Sequence, residues 1–120
     1  MRVLVCGGRG FDDETALINL LGQYADQYGP FTHIIHGGAN GADALAGVWA
    51  QLRQLPVTVY RANWQKHGKA AGPIRNRRML DEGKPDLVIA FPGGKGTANM
   101  IAIANSSGVR VIDVAREPWP

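Results

Sequence analysis

The chain has 120 residues, 45% hydrophobic and 19% charged, with a formal net charge of +3 and a pI of about 9.4. That size fits one domain with a core that needs no staples, and the one cysteine, Cys6, excludes an internal disulfide framework and a cysteine-built metal site. No apolar run nears the ~20 residues of a membrane span, and "MRVLVCGG" is too short in its apolar part for a secretory signal. The expectation is a globular cytoplasmic protein with a mild bias toward anionic partners.

"RVLVC" (2–6) is a continuous apolar run and predicts a buried strand. After "GGRGFDD", Leu17, Leu20, Leu21, Tyr24 and Tyr28 recur at helical spacing, which predicts a helix over 13–28 ended by Gly29-Pro30. "THIIH" (32–36) predicts the second strand and "GGANGAD" a second glycine corner. A helix over 42–53 follows, with Leu45, Val48, Trp49 and Leu52 as its expected inner face, and then a third strand, "PVTVY" (56–60). "RANWQKHGKAAG" reads as irregular. Gly72-Pro73 predicts a helix start with proline at the first helical position, and the helix carries "IRNRRMLDE" to a stop at Gly83. "DLVIAF" (86–91) is the fourth strand and runs into "PGGKGT". "ANMIAIANS" predicts a helix stopped by Gly108, and "RVIDV" (110–114) a fifth strand. The tail "AREPWP" offers Trp119 as a partner contact.

Apolar strands alternating with helices predict a single α/β domain over 1–120. It is a Rossmann-like three-layer fold with a mostly parallel five-stranded sheet in the order 3-2-1-4-5. Ligands in such sheets bind outside the carboxyl ends of the strands at the switch point between strands 1 and 4. The glycine corners after strands 1, 2 and 4 all fall on that edge.

A glycine-rich strand-to-helix turn can present backbone N–H groups and the positive end of a helix dipole to a phosphate or carboxylate. The expected cradle is Gly7, Gly8 and Arg9; Gly37, Gly38, Ala39 and Asn40; and Gly93, Gly94, Lys95, Gly96 and Thr97. The chain lacks a Walker A motif. In "GGRGFDD" the third fingerprint glycine is replaced by Asp13, and the second strand ends in His36 rather than an acidic residue, which argues against a standard dinucleotide site.

"GPIRNRRM" places Arg75, Arg77 and Arg78 early in a helix, where positive charge works against the dipole by roughly 0.3–1 kcal/mol each. An anion between them and the glycine loops would offset that cost; Arg75 is the candidate clamp, with Asn76 beside it. Asp43 is a candidate for ribose hydroxyls or a base edge, and also suits a helix N-terminus. Asp12 and Asp13 read first as N-caps. Trp64 offers a ring for a base or a loop anchor. His33, His36 and His67 lack metal-ligand spacing, so no metal and no cofactor is predicted. Cys6 reads as a buried small hydrophobe rather than a nucleophile.

These corners together resemble the SLOG superfamily, the Rossmann-like group that includes the Lonely-Guy phosphoribohydrolases and the Smf/DprA proteins. "PGGKGT" matches the Lonely-Guy PGGxGT signature, and Arg75 followed by Met79 is similar to their upstream Arg-x-x-x-Met helix. "GGRGFDD", "HGGANGADALA" and "AGPIRNRRM" are closer still to the YspA/cpYpsA-related branch. The resemblance implies a nucleotide or nucleotide-derived ligand and a homodimer or higher homo-oligomer. It also implies an arginine and a glutamate for cleaving base from ribose 5-phosphate. Arg75 matches the arginine; the glutamate position holds Met100, so the catalytic candidates are Arg75 and Asp43. Three readings follow. The first is a binding protein, as sensor or processing protein, for a phosphate-bearing nucleotide. The second is a nucleotide 5′-monophosphate phosphoribohydrolase, and the third a DprA-like single-stranded nucleic-acid-binding module. The third stands behind the others, since no basic stripe with interleaved aromatics is present.

Overall fold

The computed structural model describes residues 1–117; Trp119 lies outside them. Five strands form one sheet: β1 (Arg2–Cys6), β2 (His33–His36), β3 (Val57–Val59), β4 (Leu87–Ala90) and β5 (Arg110–Asp113). Every pairing is parallel and the order is β3-β2-β1-β4-β5, as the sequence predicts. The helices are α1 (Glu14–Tyr28), α2 (Ala42–Leu52), the single turn α3 (Trp64–His67), α4 (Ala71–Gly83) and α5 (Lys95–Ser106). Among the described residues no helix is long and apolar enough to cross a membrane.

Alternate strand residues face opposite sides of a sheet, and the two cores follow that period. Val3, Val5, Ile34, Leu87 and Ile89 pack with Leu17 and Leu21 of α1 and Trp49 of α2. Leu4, Cys6, Ile35, Val88 and Ala90 pack with Met79 and Leu80 of α4 and Met100 and Ala104 of α5. The strands are therefore apolar on both faces, which explains their unbroken apolar runs. The edge strand β3 departs from this, with Val57 and Val59 exposed.

Three expectations need correction. Of the expected inner face of α2, Trp49 is buried and Leu45 packs against the core, but Val48 and Leu52 are exposed and Ala42, Asp43, Ala46 and Ala50 complete the buried set. Alanines let the helix seat close to its neighbours, so small size rather than hydropathy marks the contact face. The segment read as irregular contains α3, capped by the Asn63 side chain accepting from Lys66 N–H, and a 3-10 turn that leads into α4. Pro73 is consequently the third residue of α4, still in the turn whose N–H groups have no intrahelical partner. Finally, α5 begins at Lys95, so Lys95, Gly96 and Thr97 are its first turn rather than a loop before it.

The register carries three strand ends to one edge. Cys6 pairs with Ala90, and Leu4 with Ile35. The corners after β1 and β4 then touch: Gly8 N–H donates to Pro92 C=O at 2.9 Å, and a Cβ on Gly93 would lie 2.6 Å from Gly8 N. Gly41, at φ +76°, brings the α2 corner onto the Gly8 carbonyl, which accepts from Phe11 N–H at 3.1 Å and Ala42 N–H at 3.3 Å. A side chain at Gly41 would meet both that carbonyl and a backbone conformation reserved for glycine. Gly41→Ala is expected to lower stability by at least about 2 kcal/mol, measured by urea unfolding.

Candidate functional site

The corner after β2 is built around a buried carboxylate. Asp43, 5% exposed, accepts through Oδ2 from Gly37 N–H at 3.0 Å and Ala39 N–H at 3.2 Å. Between them, Gly38 N–H donates to His36 Nδ1 at 3.0 Å, which fixes that imidazole as the neutral Nε2–H tautomer. Burial and then the Arg61 charge push the His36 pKa down, consistent with the neutral ring. The three amides are thus taken by the protein's own side chains. The carbonyls are taken as well: Gly37 C=O accepts from Arg75 Nη1 at 2.8 Å and Gly38 C=O from Arg61 Nη1 at 3.1 Å.

The corner after β4 is different. Gly93 is pressed against the β1 corner, but a Cβ on Gly94 or Gly96 would find nothing within 4 Å. The first intrahelical bond of α5 runs from Ala98 N–H to Gly94 C=O at 3.0 Å, so the amides of Lys95, Gly96 and Thr97 lie in the unpaired first turn. Asn76 ties this turn to α4. Its Nδ2 donates to Gly96 C=O at 3.1 Å and to Asn99 Oδ1 at 3.0 Å, while its Oδ1 accepts from Arg75 Nε at 3.0 Å. Arg75 is therefore held at Nε and Nη1 together.

These elements enclose a cavity of about 390 Å³, lined by Gly7, Gly8, Arg9, Ala39, Asp43, Arg75, Asn76 and Gly94 to Thr97, with Cys6 and Met79 also in its wall. A second cavity of about 290 Å³ adjoins it, sharing Arg9, Ala39 and Arg75 and adding Gly37, Gly38, Asn40, Arg61, Ala62 and Trp64. Of the residues the sequence singles out for the site, all but Gly93 line one cavity or the other. Arg61 was missed; its signal is a basic residue directly after the third strand, on the same edge. Trp64 is half-exposed, with the Arg9 guanidinium 5.2 Å from its ring centroid.

Four cations, Arg9, Arg61, Arg75 and Lys95, and one carboxylate, Asp43, line the two cavities. Burial pushes the Asp43 pKa up, opposed by the Ala39 amide, the Arg75 charge, the Gly37 amide and the Arg9 charge. Burial pulls Arg75 down, and Asp43 opposes that. Burial, with Asp43 adding to it, drives the Cys6 thiol far up, which favours the protonated thiol over the thiolate.

Other candidates lie elsewhere. Arg77 and Arg78 are exposed and pair with Asp81 at 3.8 Å and Glu82 at 2.6 Å, so their charge near the helix start is answered one turn on, without an anion. Asp13 caps α1, accepting from Ala16 N–H at 3.1 Å, and with Asp12 lines a separate cavity beside Pro92 and Gly93. His33 Nε2 lies 2.7 Å from Thr58 Oγ1. Met100, where the resemblance places a glutamate, is fully buried in the α4–α5 core and lines neither cavity.

Two measurements test this arrangement. Met100→Glu is expected to cost at least about 3 kcal/mol in urea unfolding, because it buries an uncompensated carboxylate in the core. A carboxyl whose folded pKa is raised favours folding while protonated, and its contribution falls as pH climbs from the unfolded value to the folded one. Against Asp43→Asn, stability should therefore shift in the variant's favour from about pH 3.8 upward and level off above the raised folded value; urea unfolding across a pH series reads this.

Comparison with known proteins agrees with this architecture. Residues 1–67 match the model of the YspA, cpYpsA-related SLOG family. The Gene 61 protein of Mycobacterium phage D29 is 37% identical, with 98% of each chain covered. DNA processing protein A (DprA) of Streptococcus pneumoniae shares the fold at a TM-score of 0.51 and 15% identity, over 99% of this chain and 62% of that one. With corners, sheet order and sequence in agreement, the chain belongs to the YspA/cpYpsA-related SLOG family.

Proposed function

We propose that this chain binds a nucleotide or nucleotide-derived phosphate ligand in the 390 Å³ cavity, with a phosphate on the first turn of α5. The observation that carries the reading is the contrast between two corners. The amides after β2 are consumed by Asp43 and His36, whereas those of Lys95 to Thr97 are unpaired among the described residues, beside two glycines with open space. Unpaired amides and the helix dipole favour an anion there. Arg75, already oriented, supplies a fork for phosphate oxygens, and Lys95 a mobile charge. Family membership supports a nucleotide-related role for the site.

One observation favours a second reading, hydrolysis of the base–ribose bond of a nucleoside 5′-monophosphate. Asp43 lines the same cavity as Arg75 and supplies a carboxylate where the core position of Met100 does not. Chemistry through an oxocarbenium-like state draws on such a positioned carboxylate. Release of free base, followed by chromatography, tests this reading.

Binding is tested by thermal unfolding against nucleoside mono-, di- and triphosphates, NAD, ADP-ribose and inorganic phosphate. A ligand specific for the folded chain raises the melting temperature in step with its concentration, by about 2.7 kcal/mol of stability at a hundred times Kd. Arg75→Ala should abolish that shift while costing only about 1–2 kcal/mol in the free protein, for its bonds to Gly37 and Asn76. No shift with any of these compounds overturns the proposal and brings the nucleic-acid reading forward.

A further inference from the structure

We infer that the two adjoining cavities receive the two ends of one ribonucleotide: phosphate on the first turn of α5, ribose hydroxyls on the outward oxygen of Asp43, and base on Trp64 in the place Arg9 now occupies. The inference rests on the phosphate reading above and gives it a direction.

The first observation is an unmatched acceptor. Asp43 is 95% buried by its 5% exposure, and both amide bonds it receives end on Oδ2. Among the described residues Oδ1 makes no hydrogen bond, yet it is not sealed from solvent, and Asp43 lines the cavity. Oδ1 therefore faces the cavity as an acceptor awaiting a donor. Arg75 does not fill that role: among the described residues its hydrogen bonds run from Nε to Asn76 and from Nη1 to Gly37, and none reaches Asp43. A phosphate is repelled from a carboxylate, which leaves the phosphate to the α5 end of the cavity. A sugar hydroxyl is the donor a nucleotide brings next to its phosphate.

The second observation is the ring. Trp64 is 48% exposed, on a helix of a single turn. It rests on α4 at Gly72, where a Cβ would lie 3.4 Å from the ring edge, and Arg9 covers a face at 5.2 Å from the centroid. A solvent-exposed cation–π contact is weaker than base-on-aromatic stacking, so a base displaces the guanidinium from the ring. Arg9 also lines the wall shared by the two cavities, so once released it is positioned beside the phosphate. Phosphate, Asp43 and Trp64 then succeed one another in the order phosphate, ribose, base.

The test titrates the whole chain with AMP, GMP, CMP and UMP, each with its 2′-deoxy counterpart, and with ribose 5-phosphate and inorganic phosphate. Affinity and tryptophan fluorescence are read together. At least one ribonucleotide should bind on the order of tenfold or more tighter than its deoxy partner, the loss of a hydrogen bond to a charged acceptor. The same ligand should change the fluorescence, and Trp64→Leu should remove that change. Trp64→Leu should also lose the preference for the nucleotide over ribose 5-phosphate while still binding ribose 5-phosphate. Asp43→Asn should bring ribo and deoxy forms together. Equal affinity of ribo and deoxy forms for the unaltered chain overturns the Asp43 contact, with or without a folded Asp43→Asn. Unchanged nucleotide affinity in Trp64→Leu overturns the base position. Either result with ribose 5-phosphate still bound leaves the phosphate site standing; failure of every compound, inorganic phosphate included, removes both.

Discussion

Two backbone corners, one after β1 and one after β4, meet with no side chain between them, and the rest of the edge is arranged around that contact. The Gly8 amide reaches the Pro92 carbonyl, the Gly8 carbonyl takes the N–H groups of Phe11 and Ala42, and Gly93 and Gly41 provide the clearance. Parallel register sets the strand ends level; the bare corners let three chain segments converge there. A Cβ at either glycine would wedge the corners apart and move α5 and α2 away from each other. In the stretch "PGGKGT" the glycines consequently divide their work: Gly93 makes room for protein, Gly94 and Gly96 leave room for something else.

The electrostatics are built on that frame by a short chain of polar groups. The Gly37 peptide gives its N–H to Asp43 and its carbonyl to Arg75, and Asn76 passes from Arg75 to the first turn of α5. Within this chain the Gly37 peptide, the Asn76 amide and Asp43 Oδ2 all have partners, which leaves Asp43 Oδ1 as its open acceptor. The carboxylate and guanidinium also blunt each other's cost of burial, since each favours the charged form of its neighbour. Around this fixed pair, Arg9, Arg61 and Lys95 leave the rim positively charged without the pocket being uniformly so.

The sheet was legible because its central strands, β1, β2 and β4, are apolar on both faces and each runs into a glycine corner. Element edges and one helix face were not. In α2, Trp49 was legible, but the rest of the buried face includes Ala42, Ala46 and Ala50, residues too small to outweigh Val48 and Leu52 in a hydropathy pattern. The start of α5 was hidden because a first turn of Lys95, Gly96 and Thr97 has the composition of a loop. The turn at Trp64 is too short to show periodicity, and its local sign is Asn63 as a cap. At the site, the residue types announced the corners, Arg75, Asn76 and Asp43. What they did not announce was allocation. Asp43 reaches back six residues to Gly37 and consumes the amides that a glycine count would assign to a ligand.

The double tether of Arg75 also bears on rates. A long side chain that is free in solution gives up rotamer freedom when a partner arrives; Arg75 has already given it up on folding, because Nε and Nη1 are both held by the protein. An anion meeting this side chain would find it already in place, and association would be limited by encounter and orientation rather than by waiting for a competent conformer. Arg9, exposed and resting on a ring, has the opposite character. The two arginines that line both cavities thus differ in kind, one set in place by folding and the other resting on an exposed ring.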